Sequence, residues 1–147
     1  MRKASGFSTH PSDFFTRSSR RTDKCFFIDT DKYNREFTIR CLNTMDALKR
    51  DICAINGPTK FNSEVLDLDA RLEEYLPEYL RYACRSWYRH LVNVPDDDLE
   101  TYDQATAFLL THLLHWIEVM SLLADIDSVF VALRDVKPWF QVCPTYL

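Results

Sequence analysis

The sequence predicts an all-α fold, a helical bundle of about five helices with an irregular basic N-terminal arm, and three observations carry that expectation. Only two glycines, Gly6 and Gly57, occur in 147 residues, whereas tight hairpins depend on Gly for positive φ. Apolar residues recur at steps of three and four over long stretches, the helical period. The run His112-Leu113-Leu114-His115-Trp116-Ile117-Glu118-Val119-Met120-Ser121-Leu122-Leu123 is apolar around most of its circumference. Its narrow polar stripe is Thr111, His115, Glu118 and Ser121 or Leu122. Such a helix is expected inside a bundle rather than on its surface.

Residues 1–28 have no helical period. Phe14-Phe15 and Cys25-Phe26-Phe27-Ile28 bracket a polar loop, so this arm reads as irregular, and residues 29–147 as the helical domain. Asp29 or Thr30 can cap the first helix by accepting a backbone N–H. Tyr33, Phe37, Cys41, Met45, Leu48, Ile52 and Ile55 give it one apolar face. Asn56-Gly57-Pro58 is the expected stop, because Gly or Asn supplies a left-handed cap and Pro cannot continue. Residues 59–66 form a connector, and Asp67 or Asp69 opens a short helix ending near Tyr75. Pro77 suits the first position of the next helix, with Glu78 at the positive end of its dipole. Leu80, Ala83, Cys84, Trp87, Tyr88 and Leu91 form its buried face, and Asn93 and Pro95 end it. Asp97, with Glu100 three residues on, reads as a capping-box variant. The helix it launches runs toward Leu123 with a break expected near Thr111, since twenty unbroken residues is long for a small domain. Asp125 or Asp127 caps a last helix through about Asp135, with Lys137-Pro138 as its end.

The net charge of −4 is unevenly distributed. Residues 1–28 hold six Lys or Arg against two Asp, a net +4, and the remainder holds twelve basic and twenty acidic residues, a net −8. The arm reads as a solvated or intramolecularly docked segment, and the acidic body argues against nucleic-acid binding. Five cysteines, an odd number without a CxxC pair, and no signal-peptide h-region at the N-terminus favour reduced thiols and a cytoplasmic location. The apolar run 107–123 is interrupted by His112, His115 and Glu118 and falls short of the roughly 20 residues of a membrane span.

No catalytic apparatus emerges from the residues. Two glycines exclude both GxGxxG and GxxxxGK[ST] loops, so no nucleotide-binding loop and no cofactor are expected. His112, His115 and Glu118 lie at steps of three near one helical face. Zincin ligands are instead spaced i, i+4 with a further ligand elsewhere, and the structural reading is favoured over a metal-dependent hydrolase. Cys84 and His90 are six residues apart on one helix without a third orienting group, which favours a core cysteine over a thiol nucleophile. The run Asp96-Asp97-Asp98 with Glu100 lacks the Gly turn and alternating ligands of a calcium loop, so helix capping accounts for it. Trp87 and Trp116 belong to the core by their helical spacing. Trp139 and Phe140, between Pro138 and Pro144, are the expected exposed protein contact, with Arg20 and Arg21 as a weaker one.

Taken in order, His10-Pro11-Ser12, Phe26-Phe27-Ile28-Asp29, Arg40-Cys41-Leu42, Asn62-Ser63-Glu64-Val65, Tyr82-Ala83-Cys84 and Trp116-Ile117-Glu118-Val119 together resemble the fungal STAND-class NTPases of the NACHT type. His10-Pro11-Ser12-Asp13-Phe14-Phe15 and Phe26-Phe27-Ile28-Asp29 are similar to the end of their winged-helix region. Arg40-Cys41-Leu42 with Met45, Asn62-Ser63-Glu64-Val65 with Asp67-Leu68, and Leu80-Arg81-Tyr82-Ala83-Cys84-Arg85 with Trp87, His90 and Leu91 resemble the blocks that follow in that family. Leu113-Leu114 with Trp116-Ile117-Glu118-Val119-Met120-Ser121-Leu122-Leu123 resembles a further one. The likeness covers nearly all of residues 10–130. It implies a helical connector between a nucleotide switch and C-terminal sensor repeats, transmitting the switch by repacking helices. It carries no nucleotide-binding or catalytic residue onto this sequence. The expectation is a non-catalytic segment of such a signalling protein, a fragment or truncated member, acting through a protein partner, neighbouring domains or self-association. The alternative is a stand-alone α-helical adaptor.

Overall fold

The computed structural model describes residues 29–57 and 59–142. They form five α-helices and one 3₁₀ turn, without a strand among the described residues. In chain order these are α1 (Thr30–Met45), the 3₁₀ turn Asn62–Glu64, α2 (Leu68–Tyr75), α3 (Glu78–Leu91), α4 (Leu99–Leu122) and α5 (Ile126–Val142). The arm of residues 1–28, with Arg20, Arg21 and the first blocks of the family resemblance, lies outside the described residues.

The expected face of α3 is fully buried: Leu80, Ala83, Cys84, Trp87, Tyr88 and Leu91 all enter the core. Helix α3 packs chiefly against α1, while α4 and α5 close the other side. Trp87 sits at the centre, meeting Phe108 and Trp116 edge to face with ring centroids 5.3 and 5.4 Å away, a favoured aromatic geometry. The Trp116 indole donates to the Cys84 carbonyl at 2.9 Å. Cys41, Cys53 and Cys84 are buried free thiols, and burial pushes Cys84 up to about 12 and Cys41 to about 11. These are small apolar fillers, as the sequence suggested for Cys84.

Four boundaries differ from the sequence expectation, three for a tertiary reason and the start of α4 for a local one. Helix α1 stops at Met45 instead of continuing to Ile55. Beyond it, the Asp51 N–H donates to Glu118 Oε1 at 2.8 Å, and the Asp51 carboxylate accepts from the Ile55 and Asn56 N–H groups. Those bonds replace the helical ladder, and Asp51, Ala54 and Asn56 take positive φ of 52°, 50° and 55°. Leu48, Ile52 and Cys53 are buried all the same. Helix α4 is capped by Asp98, not Asp97: its side chain accepts from the Thr101 N–H at 3.0 Å. It then runs 24 residues without the break expected near Thr111, because Thr101, Ala105, Phe108, Trp116 and Met120 anchor it to the core along its whole length. Helix α5 continues through Pro138 to Val142. Its last turns are held by Trp139, whose indole donates to the Val94 carbonyl at 2.9 Å, and by Tyr102 against the rings of Trp139 and Phe140.

Candidate functional site

Helices α4 and α5 form an antiparallel hairpin, joined at Leu123–Asp125 and meeting again where Tyr102 touches Phe140. The register of such a hairpin sets Leu114 level with Phe130. Leu113, Ile117 and Leu133 are half-buried against the core. Beside them, Leu110 is 84% exposed, Leu114 76% and Phe130 68%, with Ile126 also exposed. Leu110 and Leu114 are one turn apart on α4, and Ile126 and Phe130 one turn apart on α5, so they line the outward side of the same hairpin. Helix α4 is therefore not enclosed, as its composition led one to expect. It meets α1, α3 and α5 and leaves its fourth side to solvent. By length and composition alone it is also apolar enough to cross a membrane, yet only 28% of its most apolar window is buried.

A pocket of about 520 Å³ opens further along α4, between its C-terminal half and the connector 46–66. Glu118, Ser121 and Leu122 form one wall, and Arg50, Asp51, Ile55, Asn56, Gly57, Lys60, Asn62 and Val65 the other. The connector is pinned there by the Glu118–Asp51 bond and by Asn62, whose amide donates to the Ser121 carbonyl at 2.9 Å. Arg71 supports it from behind, donating to the Cys53 and Ala54 carbonyls.

The residues singled out from the sequence fall elsewhere. Trp139 is only 7% exposed and its N–H is spent on Val94, so it is a core residue and not an exposed contact. Phe140 is half-buried and packs on Trp139 with centroids 5.1 Å apart. Lys137-Pro138 is the expected end of the last helix, but the helix passes Pro138 and carries both rings inward. His112 and His115 do approach, with Nδ1 atoms 3.4 Å apart, and His112 Nε2 lies 3.9 Å from Asp46. Glu118 turns away to Asp51, and no group of three or more His, Cys, Asp or Glu among the described residues is arranged to hold a metal. His90 is directed away from Cys84. It packs on Phe37, and its ring nitrogens lie within hydrogen-bonding distance of Asn34 and Tyr82. Asp98 and Glu100 both engage Arg35, the former at 2.6 Å.

Neither outward surface was named from the sequence. The apolar face had a signal, the Leu-rich run itself, but composition does not say which side lacks a neighbour. The pocket joins residues 51 and 118, and no local pattern links them. Comparison with protein-family models, with curated proteins and with solved structures gave no match.

Proposed function

We propose that this chain is a non-catalytic helical interaction segment whose α4–α5 face packs against an apolar helix of a neighbouring domain or protein partner. The observation that supports it is the unpartnered row Leu110, Leu114, Ile126 and Phe130. The geometry suits a helix laid along the hairpin, with anchors at one-turn intervals. The resemblance to fungal NACHT-type STAND proteins gives that partner a class: the adjoining switch or sensor domain of a cytoplasmic signalling receptor. A stand-alone adaptor is the second reading, favoured by a core in which Trp87, Trp116, Leu91 and Met120 are fully enclosed without help from another chain.

Size-exclusion chromatography with light scattering, an apolar dye and a thermal melt test the reading on the whole chain. An interaction segment shows strong dye binding or concentration-dependent association. A cooperative melt alongside that behaviour favours the adaptor over the fragment. A monodisperse monomer that binds no dye overturns the interaction face, and partition into neutral phosphatidylcholine vesicles with loss of self-association reassigns it to lipid.

A further inference from the structure

We propose that the pocket between the connector 46–66 and α4 binds a small molecule carrying a carboxylate on an apolar body. Its volume of about 520 Å³ lies within the range of small-molecule sites, which combine apolar walls with a few placed polar groups. Ile55, Val65 and Leu122 supply the apolar wall. The polar groups are unequally committed. Both oxygens of Asp51 accept backbone N–H groups, and Oε1 of Glu118 accepts a third. The amides of Asn56 and Asn62 donate to backbone carbonyls. Arg50 and Lys60, in contrast, make no ion pair among the described residues, although both line the cavity. The described bonds thus leave two cationic donors, Arg50 and Lys60, and Oε2 of Glu118 uncommitted beside an apolar wall.

The Lys60 side chain is exposed and rests on the loop at Gly57. Its stem lies along Gly57 so closely that a Cβ there would stand 3.0 Å from Lys60 Cε. The missing side chain at Gly57 lets the stem fold against the loop. Arg50 adds a planar fork that matches a carboxylate in two hydrogen bonds. Asp51 and Glu118 offset the two positive charges, so recognition rests on these short-range donors and not on a long-range field.

Phenylacetate and its uncharged counterpart phenylacetamide separate the two halves of the claim by amide chemical-shift titration of the full chain. Phenylacetate is expected to give saturable shifts at residues 50–57 and 118–122, and to bind about tenfold tighter than the amide, the worth of one charge-assisted hydrogen bond. The double substitution Arg50→Gln and Lys60→Gln should erase that preference. Both side chains are exposed, so an unchanged melt confirms that the variant is folded. Equal binding of acid and amide overturns the proposal. So does a preference that survives the double substitution, or shifts confined to Leu110, Leu114 and Phe130; the last outcome leaves the interaction face standing while removing the ligand site.

Discussion

Trp87 and Trp116 occupy the same buried cluster, yet only Trp116 has a hydrogen bond for its indole, to the Cys84 carbonyl. The Trp87 Nε1 has no partner among the described residues. Replacing Trp116 by Phe removes a second bond to the Cys84 carbonyl, which keeps its helical bond within α3, whereas replacing Trp87 by Phe removes a donor that was unsatisfied. Trp116→Phe should therefore cost about 0.5–1.5 kcal/mol more than Trp87→Phe, read from urea unfolding midpoints at equal slope. Equal costs would show that the Cys84 bond contributes nothing. Titratable residues give a second residue-scale expectation. Burial pushes the Asp98 carboxyl up, but the Thr101 N–H and the Arg35 guanidinium outweigh it and hold the group below its ordinary value. Its contribution is present above the unfolded carboxyl pKa of about 3.9 and is lost as pH falls through the lower folded value. His90 is pushed down by burial, so the unfolded chain takes up that proton first as pH falls through about 6.5. Stability should consequently drop in two stages on acidification, first as pH falls through about 6.5 and again below about pH 4. Asp98→Ala should remove the second stage from this group and cost about 1 kcal/mol at neutral pH as a lost cap. Denaturant midpoints across that range check both.

At the scale of elements, the junction between α4 and α5 is a helix stop made without glycine. The Ala124 N–H donates to Ser121 O and the Asp125 N–H to Met120 O, the paired bonds of a Schellman motif. Ala124 holds φ at 54° to make them, a conformation that is strained for a residue with a Cβ. Ala124→Gly relieves that strain and should raise stability by about 0.5–1 kcal/mol, net of the extra freedom Gly gives the unfolded chain. A lower melting temperature in that variant would mean that the junction is set by packing rather than by its backbone. The same junction shows what was legible in the sequence. Asp125 directly precedes α5 as the sequence suggests, but the described bonds to its carboxylate come from the Ser128 hydroxyl at 2.6 Å and from Arg85, not from a helix N–H. The buried face of α3 was readable residue by residue, because its apolar positions form one dense stripe. The end of α1 was not. Leu48 and Ile52 keep the helical period, yet a carboxylate 67 residues away takes the Asp51 N–H. The continuation of α5 was also hidden, since Pro138 removes a backbone donor and the helix beyond it is held by distant partners, Val94 for the Trp139 indole and Tyr102 for the two rings.

The whole molecule resolves the tension between a hydrophobic helix and a small bundle. Helix α4, about 36 Å long at 1.5 Å per residue, has more apolar circumference than its neighbours cover. Sequence reasoning assigned its outward side to Thr111, His115, Glu118 and Ser121, and part of that side is indeed polar. The stripe facing away from α3 is nevertheless Leu110 and Leu114, joined across the hairpin by Phe130. Because these side chains lie outside the core, changing them should separate folding from association. Leu110→Gln combined with Leu114→Gln should shift unfolding stability by no more than about 0.5 kcal/mol per site. Phe130→Gln should behave alike. Dye binding and concentration-dependent association should fall away in the same variants, and the elution of a dilute sample should stay that of a folded monomer. A matched pair at the hairpin seam, Leu113→Gln and Leu133→Gln, should do the reverse and lower stability by removing packing against the core. If the outward variants destabilise the chain as much as the seam variants do, the face is part of the fold. If they leave association intact, the contact lies elsewhere on the molecule.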